Sequence, residues 1–243
     1  MLRLGKSGKI TTAILWEATA ELSLMLPLTF SKSGHATYKI LCLGAHSDDI
    51  EIGCGGAILE LLRTRRDLEF YWVVFSSGAG RDREAYRSAD LFLKGAAKKT
   101  VIVKNFRGSF FPFIGAEIKD FFEVLKETVA PDLIFTHTSQ DRHQDHRTIN
   151  EFTWNTWRNH FILEYEIPKY DGDLGSPNFF ISFDRKIRDR KIKHLMECFK
   201  TQRDKQWFTP DTFQGLMRLR GIESHSPGRF AEAFYCRKTL LSP

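Results

Sequence analysis

Between residues 38 and 160 the chain alternates short apolar runs with longer stretches of helical periodicity, and does so four times. The apolar runs are "YKILCLGA" (38–45), "LEFYWVVFSS" (68–77), "KTVIVKNF" (99–106) and "DLIFTHT" (132–138). Helical spacing follows each of them, over 55–66, 82–96, 116–130 and 144–160, with Gly95 and Pro131 as stop signals. Strands separated by helices of ten or more residues cannot pair as hairpins. They form βαβ units, which lay strands parallel and cover both faces with helices. The pattern therefore predicts an α/β chain, a three-layer sandwich around a mostly parallel sheet.

The last third is less regular. Strands are expected at 161–168 and 178–183, separated by the turn-rich "KYDGDLGSP". A basic helix within 184–205, a helix over 211–221 and a short edge strand within 231–238 complete the reading. No linker-like stretch divides 38–243, so these residues are expected to form a single domain. Residues 1–37 form an N-terminal extension in which Ile14, Leu15, Ala18, Leu22 and Met25 recur at helical spacing. Glu17 and Glu21 interrupt its apolar stretch, which argues against a signal peptide or a membrane span. Four cysteines without a CxxC pair read as buried free thiols, which fits a cytoplasmic location. The basic run 184–205 carries nine Lys and Arg against four Asp and Glu, but the net charge of the chain is only +6. A solvated helix face explains that run better than nucleic-acid binding, for which no recognition module is present.

In an open parallel sheet, ligands bind beyond the carboxyl ends of the strands. Two polar clusters fall at such ends. "AHSDD" after the first strand supplies His46, Asp48 and Asp49, and "HTSQDRHQDH" after the fourth supplies His137, Asp141, His143, Asp145 and His146. Imidazole and carboxylate are the usual ligands of catalytic zinc, and such a site leaves one position open to water. Singly, each residue could be a packed histidine or a helix cap. Jointly, at two strand ends on the same side of the sheet, they point to a site. Gly53, Gly55 and Gly56 superficially resemble a phosphate loop, yet they fit neither GxGxxG nor GxxxxGK[ST] and follow an acidic turn. Close packing of helix on sheet is the better reason for them.

"AHSDDIEIGCGG" resembles the first motif of the PIG-L/LmbE-like zinc-dependent N-deacetylases, and "HQDHR" resembles their second. The likeness extends over most of 38–160 and implies the Rossmann-like sandwich of that family. It further implies zinc ligands at His46, Asp49 and His146, and a general base at Asp48. It implies an oxyanion-stabilising imidazole at His143, supported by Asp145. Arg81 and Glu84 match an R-x-x-E pattern, for which substrate contact and a structural ion pair both remain open. The chain departs from the pattern at Ser47 and Gln144, where proline is usual, at Ile50-Glu51, and at Arg107-Gly108, where Asp-Gly is often found.

The expected activity is removal of an acetyl group from an N-acetylated amino sugar of the N-acetylglucosamine type, within a glycoconjugate or polysaccharide precursor. Zinc is the expected cofactor, although two histidines and an aspartate also suit ferrous iron. The expected partner is a small amino-sugar substrate, without nucleic acid or stable membrane insertion. Two other readings stand beside this one: an amidase for another small amide such as a thiol-sugar conjugate, and a non-catalytic sugar-binding module. The sequence leaves the oligomeric state open.

Overall fold

The computed structural model describes residues 37–78 and 80–240, so the expected amphipathic helix near the N-terminus lies outside the described residues. Among the described residues, seven strands and six α-helices alternate as anticipated. Strand β1 (Tyr38–His46) is followed by α1 (Asp49–Thr64), β2 (Leu68–Ser76), α2 (Asp82–Phe92), β3 (Lys98–Val103), α3 (Gly115–Thr128), β4 (Leu133–His137) and α4 (Gln144–Thr156). Then come β5 (Phe161–Tyr165), β6 (Phe179–Phe183), α5 (Arg185–Cys198), α6 (Pro210–Glu223) and β7 (Phe230–Tyr235).

The strands form one sheet in the order β3-β2-β1-β4-β5-β7-β6. From β3 to β5 every pairing is parallel, while β7 runs antiparallel to both β5 and β6. Strand order reverses between β1 and β4. Chain direction alone thus places the end of β1 and the end of β4 side by side at the point where a crevice opens.

β2 is buried along its whole length, as a parallel strand covered on both faces must be. Leu41, Leu43, Val73, Phe75 and Ile134 point to one face, where Ile118 and Phe122 of α3 and Ile149 of α4 meet them. Aromatic rings fill this layer: Phe75 stacks on Phe122 with ring centres 5.1 Å apart, and Trp157 closes the group at 5.9 Å. Helix α1 packs on the opposite face, with α5 against both α1 and α2.

Three boundaries differ from expectation. Helix α1 begins at Asp49 rather than near residue 55, so the glycine cluster sits inside the helix. Its first two turns are buried on all sides, Ile50, Glu51 and Ile52 included, and therefore show no amphipathic stripe. Helices α2 and α4 each stop four residues early. Strand β7 is interior rather than an edge, because β6 pairs with its outer side.

The glycines do serve close packing. A Cβ on Gly53 would lie 2.1 Å from the Tyr165 ring, and one on Gly55 would lie 2.6 Å from Phe92. Gly56 has a further use: Glu232 reaches through that space to accept hydrogen bonds from the backbone N–H groups of Gly56 (2.8 Å) and Ala57 (2.7 Å). Three cysteines are buried, Cys236 is partly exposed, and all four are free thiols. Among the described residues, no helix is long and apolar enough to cross a membrane.

Candidate metal centre

Strand β1 ends at His46, and α1 starts three residues later, so His46, Asp48 and Asp49 share one tight turn. The backbone N–H of His46 donates to Asp49 Oδ2 at 2.7 Å, which folds the carboxylate back over the strand end. Across the reversal point, His143 caps the N-terminus of α4, and His146 stands on the first turn of that helix. A hundred residues of sequence separate the two motifs, yet their side chains meet.

Three atoms define the centre. His46 Nδ1 lies 3.2 Å from His146 Nε2 and 3.3 Å from Asp49 Oδ2, and His146 Nε2 lies 3.4 Å from the same oxygen. Ligands about 2.0–2.1 Å from a tetrahedral ion stand about 3.3–3.4 Å apart, so this nearly equilateral triangle fits zinc. Two other groupings of donors lie close by: His46 with His143 and His146, and Asp49 with His137 and His146. Their fourth-party histidines are already engaged. His137 Nε2 accepts the Ala45 N–H at 3.0 Å, and His143 Nδ1 accepts the Asp145 N–H at 3.2 Å. In the triangle of His46, Asp49 and His146 the three donor atoms face one another, and Asp49 Oδ2 also accepts the His46 N–H.

Each histidine of the triangle has a carboxylate on its other nitrogen, the arrangement that fixes tautomer and ring orientation at metal sites. Asp145 Oδ2 lies 3.1 Å from His46 Nε2, and Asp141 Oδ2 lies 2.8 Å from His146 Nδ1. Asp145 is held in turn by the backbone N–H groups of Ser109 (2.5 Å) and Phe111 (3.1 Å). The segment that departs from the family pattern at Arg107-Gly108 is thus the one that buttresses Asp145. The carboxylate of Asp145 supports His46, whereas His143, which the sequence pairs it with, receives only the backbone N–H of Asp145.

Burial and mutual contact shift the titration of these groups strongly. Burial opposes charge on His46, but Asp49 and Asp145 outweigh it and raise its pKa to about 10. Burial, reinforced by His137, instead pushes His146 down to about 3. Burial also disfavours charge on Asp49, yet the histidines around it hold its carboxyl well below the usual range. Asp48 behaves differently. Desolvation dominates there and raises its pKa, although Arg81 Nη2 pairs with Asp48 Oδ1 at 3.0 Å and pulls the other way. His143 is lowered, first by burial and then by His46, so its ring is neutral; with Nδ1 accepting, Nε2 carries the proton.

An open cleft of about 220 Å³ stands over these groups. His46, Asp48, Asp49, His143, His146 and Arg81 line it on the motif side. Ile167 and Lys169, from the stretch 164–173, and Gln202, Lys205 and Trp207, from the turn after α5, line the rest. Glu84 is placed elsewhere. It accepts from the N–H (3.2 Å) and hydroxyl (2.6 Å) of Thr201, so it ties α2 to that turn. The C-terminal lining residues carry no motif.

Fold and site together define an α/β domain with a two-histidine, one-carboxylate centre at the switch point of its sheet. Residues 41–157 match the family model described as PIG-L: GlcNAc-PI de-N-acetylase, the family whose motifs the two clusters resemble. No curated protein matches the chain. Among solved structures, N,N'-diacetylchitobiose deacetylase from Pyrococcus horikoshii is 21% identical, with a TM-score of 0.62 over 81% of this chain and 82% of that one. GalB, the 4-carboxy-2-hydroxymuconate hydratase of Pseudomonas putida KT2440, is 15% identical, with a TM-score of 0.67 over 85% and 99%. The zinc-inhibited form of teicoplanin deacetylase is 13% identical, with a TM-score of 0.61 over 81% and 97%. At these identities the likeness establishes the fold.

Proposed function

We propose that the chain is a zinc-dependent N-deacetylase acting on an N-acetylated amino sugar. The observation that carries the reading is the triangle of His46 Nδ1, Asp49 Oδ2 and His146 Nε2 beneath an open cleft, with Asp48 beside it. Zinc suits that triangle better than an octahedral ion, whose neighbouring ligands stand about 3.0 Å apart at similar bond lengths. A divalent ion held there would polarise the amide carbonyl and bring the pKa of a water near neutrality.

The remaining steps belong to the chain. Asp48 accepts a proton from the attacking water and returns it to the departing amine; its desolvated carboxyl suits both roles. Arg81 holds that carboxylate in place through the 3.0 Å contact. His143 presents a neutral Nε2–H toward the cleft, a donor for the oxyanion that develops on the carbonyl oxygen. Trp207 offers a flat apolar surface for a sugar ring, and the Gln202 side-chain oxygen, buried without a partner, offers an acceptor to a hydroxyl. The family description names an N-acetylglucosamine conjugate, which supports an amino sugar over other amides.

Acetate release from a panel of N-acyl sugars, by the chelated chain and after zinc is restored, tests the reading. Zinc-dependent release, abolished in His146→Ala and lowered about 10²–10⁴-fold in Asp48→Asn, is expected. Hydrolysis confined to amides other than acetyl would favour the related amidase. Zinc binding without hydrolysis of any substrate would refute the enzymatic reading.

A further inference from the structure

Lys169 lies in the connection between β5 and β6, far in sequence from either motif, and its side chain is only 9% exposed. Its Nζ sits among three carboxylates: Asp173 at 2.6 Å, Asp141 at 3.0 Å and Asp171 at 3.5 Å. These three carboxylates come close enough together to resemble a cation site, and the ammonium of Lys169 is the cation they share. Asp141 is the link to the metal centre. Its Oδ1 receives Lys169 and the His143 N–H (2.7 Å), while its Oδ2 receives His146 Nδ1 (2.8 Å).

We propose that Lys169 is a positioning residue for the metal centre. It keeps the Asp141 carboxylate aligned, so that the His146 ring is held at Nδ1 with Nε2 turned toward Asp49 and His46. The physical reason is the company Asp141 keeps. A carboxylate that is 2% exposed and shares its surroundings with two others is repelled by them and deprived of water. Lys169 cancels that repulsion at the one oxygen that does not serve the histidine. Without it, Asp141 turns away from its two carboxylate neighbours, and His146 loses the acceptor that orients its ring. The same ammonium also lines the substrate cleft. The β5–β6 connection is thereby fastened beside the metal centre by Lys169, and also by Asp173, which accepts the Arg142 N–H at 2.7 Å.

The proposal rests on the reading of His46, Asp49 and His146 as ligands, so its test reads metal binding directly. Zinc affinity and stoichiometry are measured on the full chain by competition with a chromophoric chelator, for the unaltered protein, Lys169→Met, Lys169→Arg and Asp173→Asn. Stoichiometry matters because loss of the ammonium leaves three carboxylates to attract a second, weak ion. Loss of a group that orients a metal-bound histidine costs about 10–100-fold in affinity, and Lys169 acts one step further out. An approximately tenfold loss is expected for Lys169→Met at the first site, with most of it restored in Lys169→Arg. Asp173→Asn, which loosens the loop but leaves the Lys169–Asp141 contact, is expected to bind within threefold of the unaltered chain. Unchanged affinity in Lys169→Met would overturn the proposal, and so would an equal loss in Asp173→Asn, which would assign the effect to the loop. If Lys169→Met does not fold, Lys169→Gln replaces it; failure of both to fold assigns Lys169 to stability and also overturns the proposal. Absent zinc binding by the unaltered chain would sink the ligand reading instead, and zinc binding without acetate release would sink only the deacetylase reading.

Discussion

Exchange of Glu232 for glutamine removes one negative charge from the core at almost constant volume. In the native chain, Glu232 pairs with Lys191 Nζ at 2.5 Å, and the two side chains are 5% and 3% exposed. The pair is built into helix α1. Glu232 accepts from the N–H groups of Gly56 and Ala57, and Lys191 donates to the Ile52 carbonyl oxygen at 2.6 Å. That oxygen is the one an α-helix assigns to the N–H of residue 56, so the pair stands where one turn of the ladder would close on itself. Glutamine leaves an ammonium buried without a counter-charge, and it turns an amide donor toward a backbone N–H. Removing one partner of a buried ion pair costs about 3–5 kcal/mol. For a chain of this size each kcal/mol lowers the melting temperature by about 2–4 °C, so a fall of about 6–20 °C is expected. Lys191→Met in the same background removes the orphaned charge. The double variant should therefore be more stable than the sum of the two single losses allows, by about 1 kcal/mol or more. Calorimetry or urea unfolding of the four proteins reads both quantities. A loss below about 1 kcal/mol in Glu232→Gln, or strict additivity in the double variant, would refute the assignment of these residues as an energetically coupled pair.

Two further outcomes follow from the packing. Gly53→Ala places a Cβ 2.1 Å from the Tyr165 ring, whose hydroxyl donates to the Leu43 carbonyl oxygen at 2.6 Å. Overpacking of this kind costs about 1–3 kcal/mol. Because Tyr165 also touches His137 behind Asp49, weaker zinc binding should accompany the lower melting temperature; unchanged values of both would contradict the packing role of the glycine. Burial holds His160 and His194 below the ordinary histidine pKa, and Arg190 adds to the effect at His194. The unfolded chain therefore takes up these protons first, and the contribution of the two residues is lost as pH falls below about 6.5. Melting curves from about pH 7.5 to 5 should show a shallower acid-side decline for His160→Gln/His194→Gln than for the unaltered chain, and identical slopes would exclude the effect.

What the sequence revealed was the chemistry that sits in residue identity and short spacing. His46, Asp48 and Asp49 in one turn, and His143 and His146 on one helix start, were legible because a strand end and a helix start place neighbours in space. The glycine cluster was read correctly as packing but misplaced, since α1 has no apolar stripe where it is buried all round. Its resemblance to an anion loop had a real counterpart. The N–H groups of Gly56 and Ala57 do hold an anion, the carboxylate of Glu232, some 175 residues away. Contacts of this kind, like Asp145 on His46 and Lys169 on Asp141, depend on which loops the sheet brings together. No local periodicity encodes them.

The same dependence decides how far the fold speaks for the reaction. Structures of a hydratase and two deacetylases share this fold at 21% identity or below, so the sandwich serves more than one use of water. Hydrating a double bond requires activated water and a proton for carbon. Cleaving an amide requires activated water, a donor for the carbonyl oxygen and a proton for the departing nitrogen. In the reading proposed above, His143, whose Nδ1 accepts the Asp145 N–H, would supply the second of these requirements. Asp48, desolvated yet steadied by Arg81, would supply the third. It is this pair beside the His46, Asp49 and His146 triangle, rather than the sheet beneath it, that favours amide cleavage.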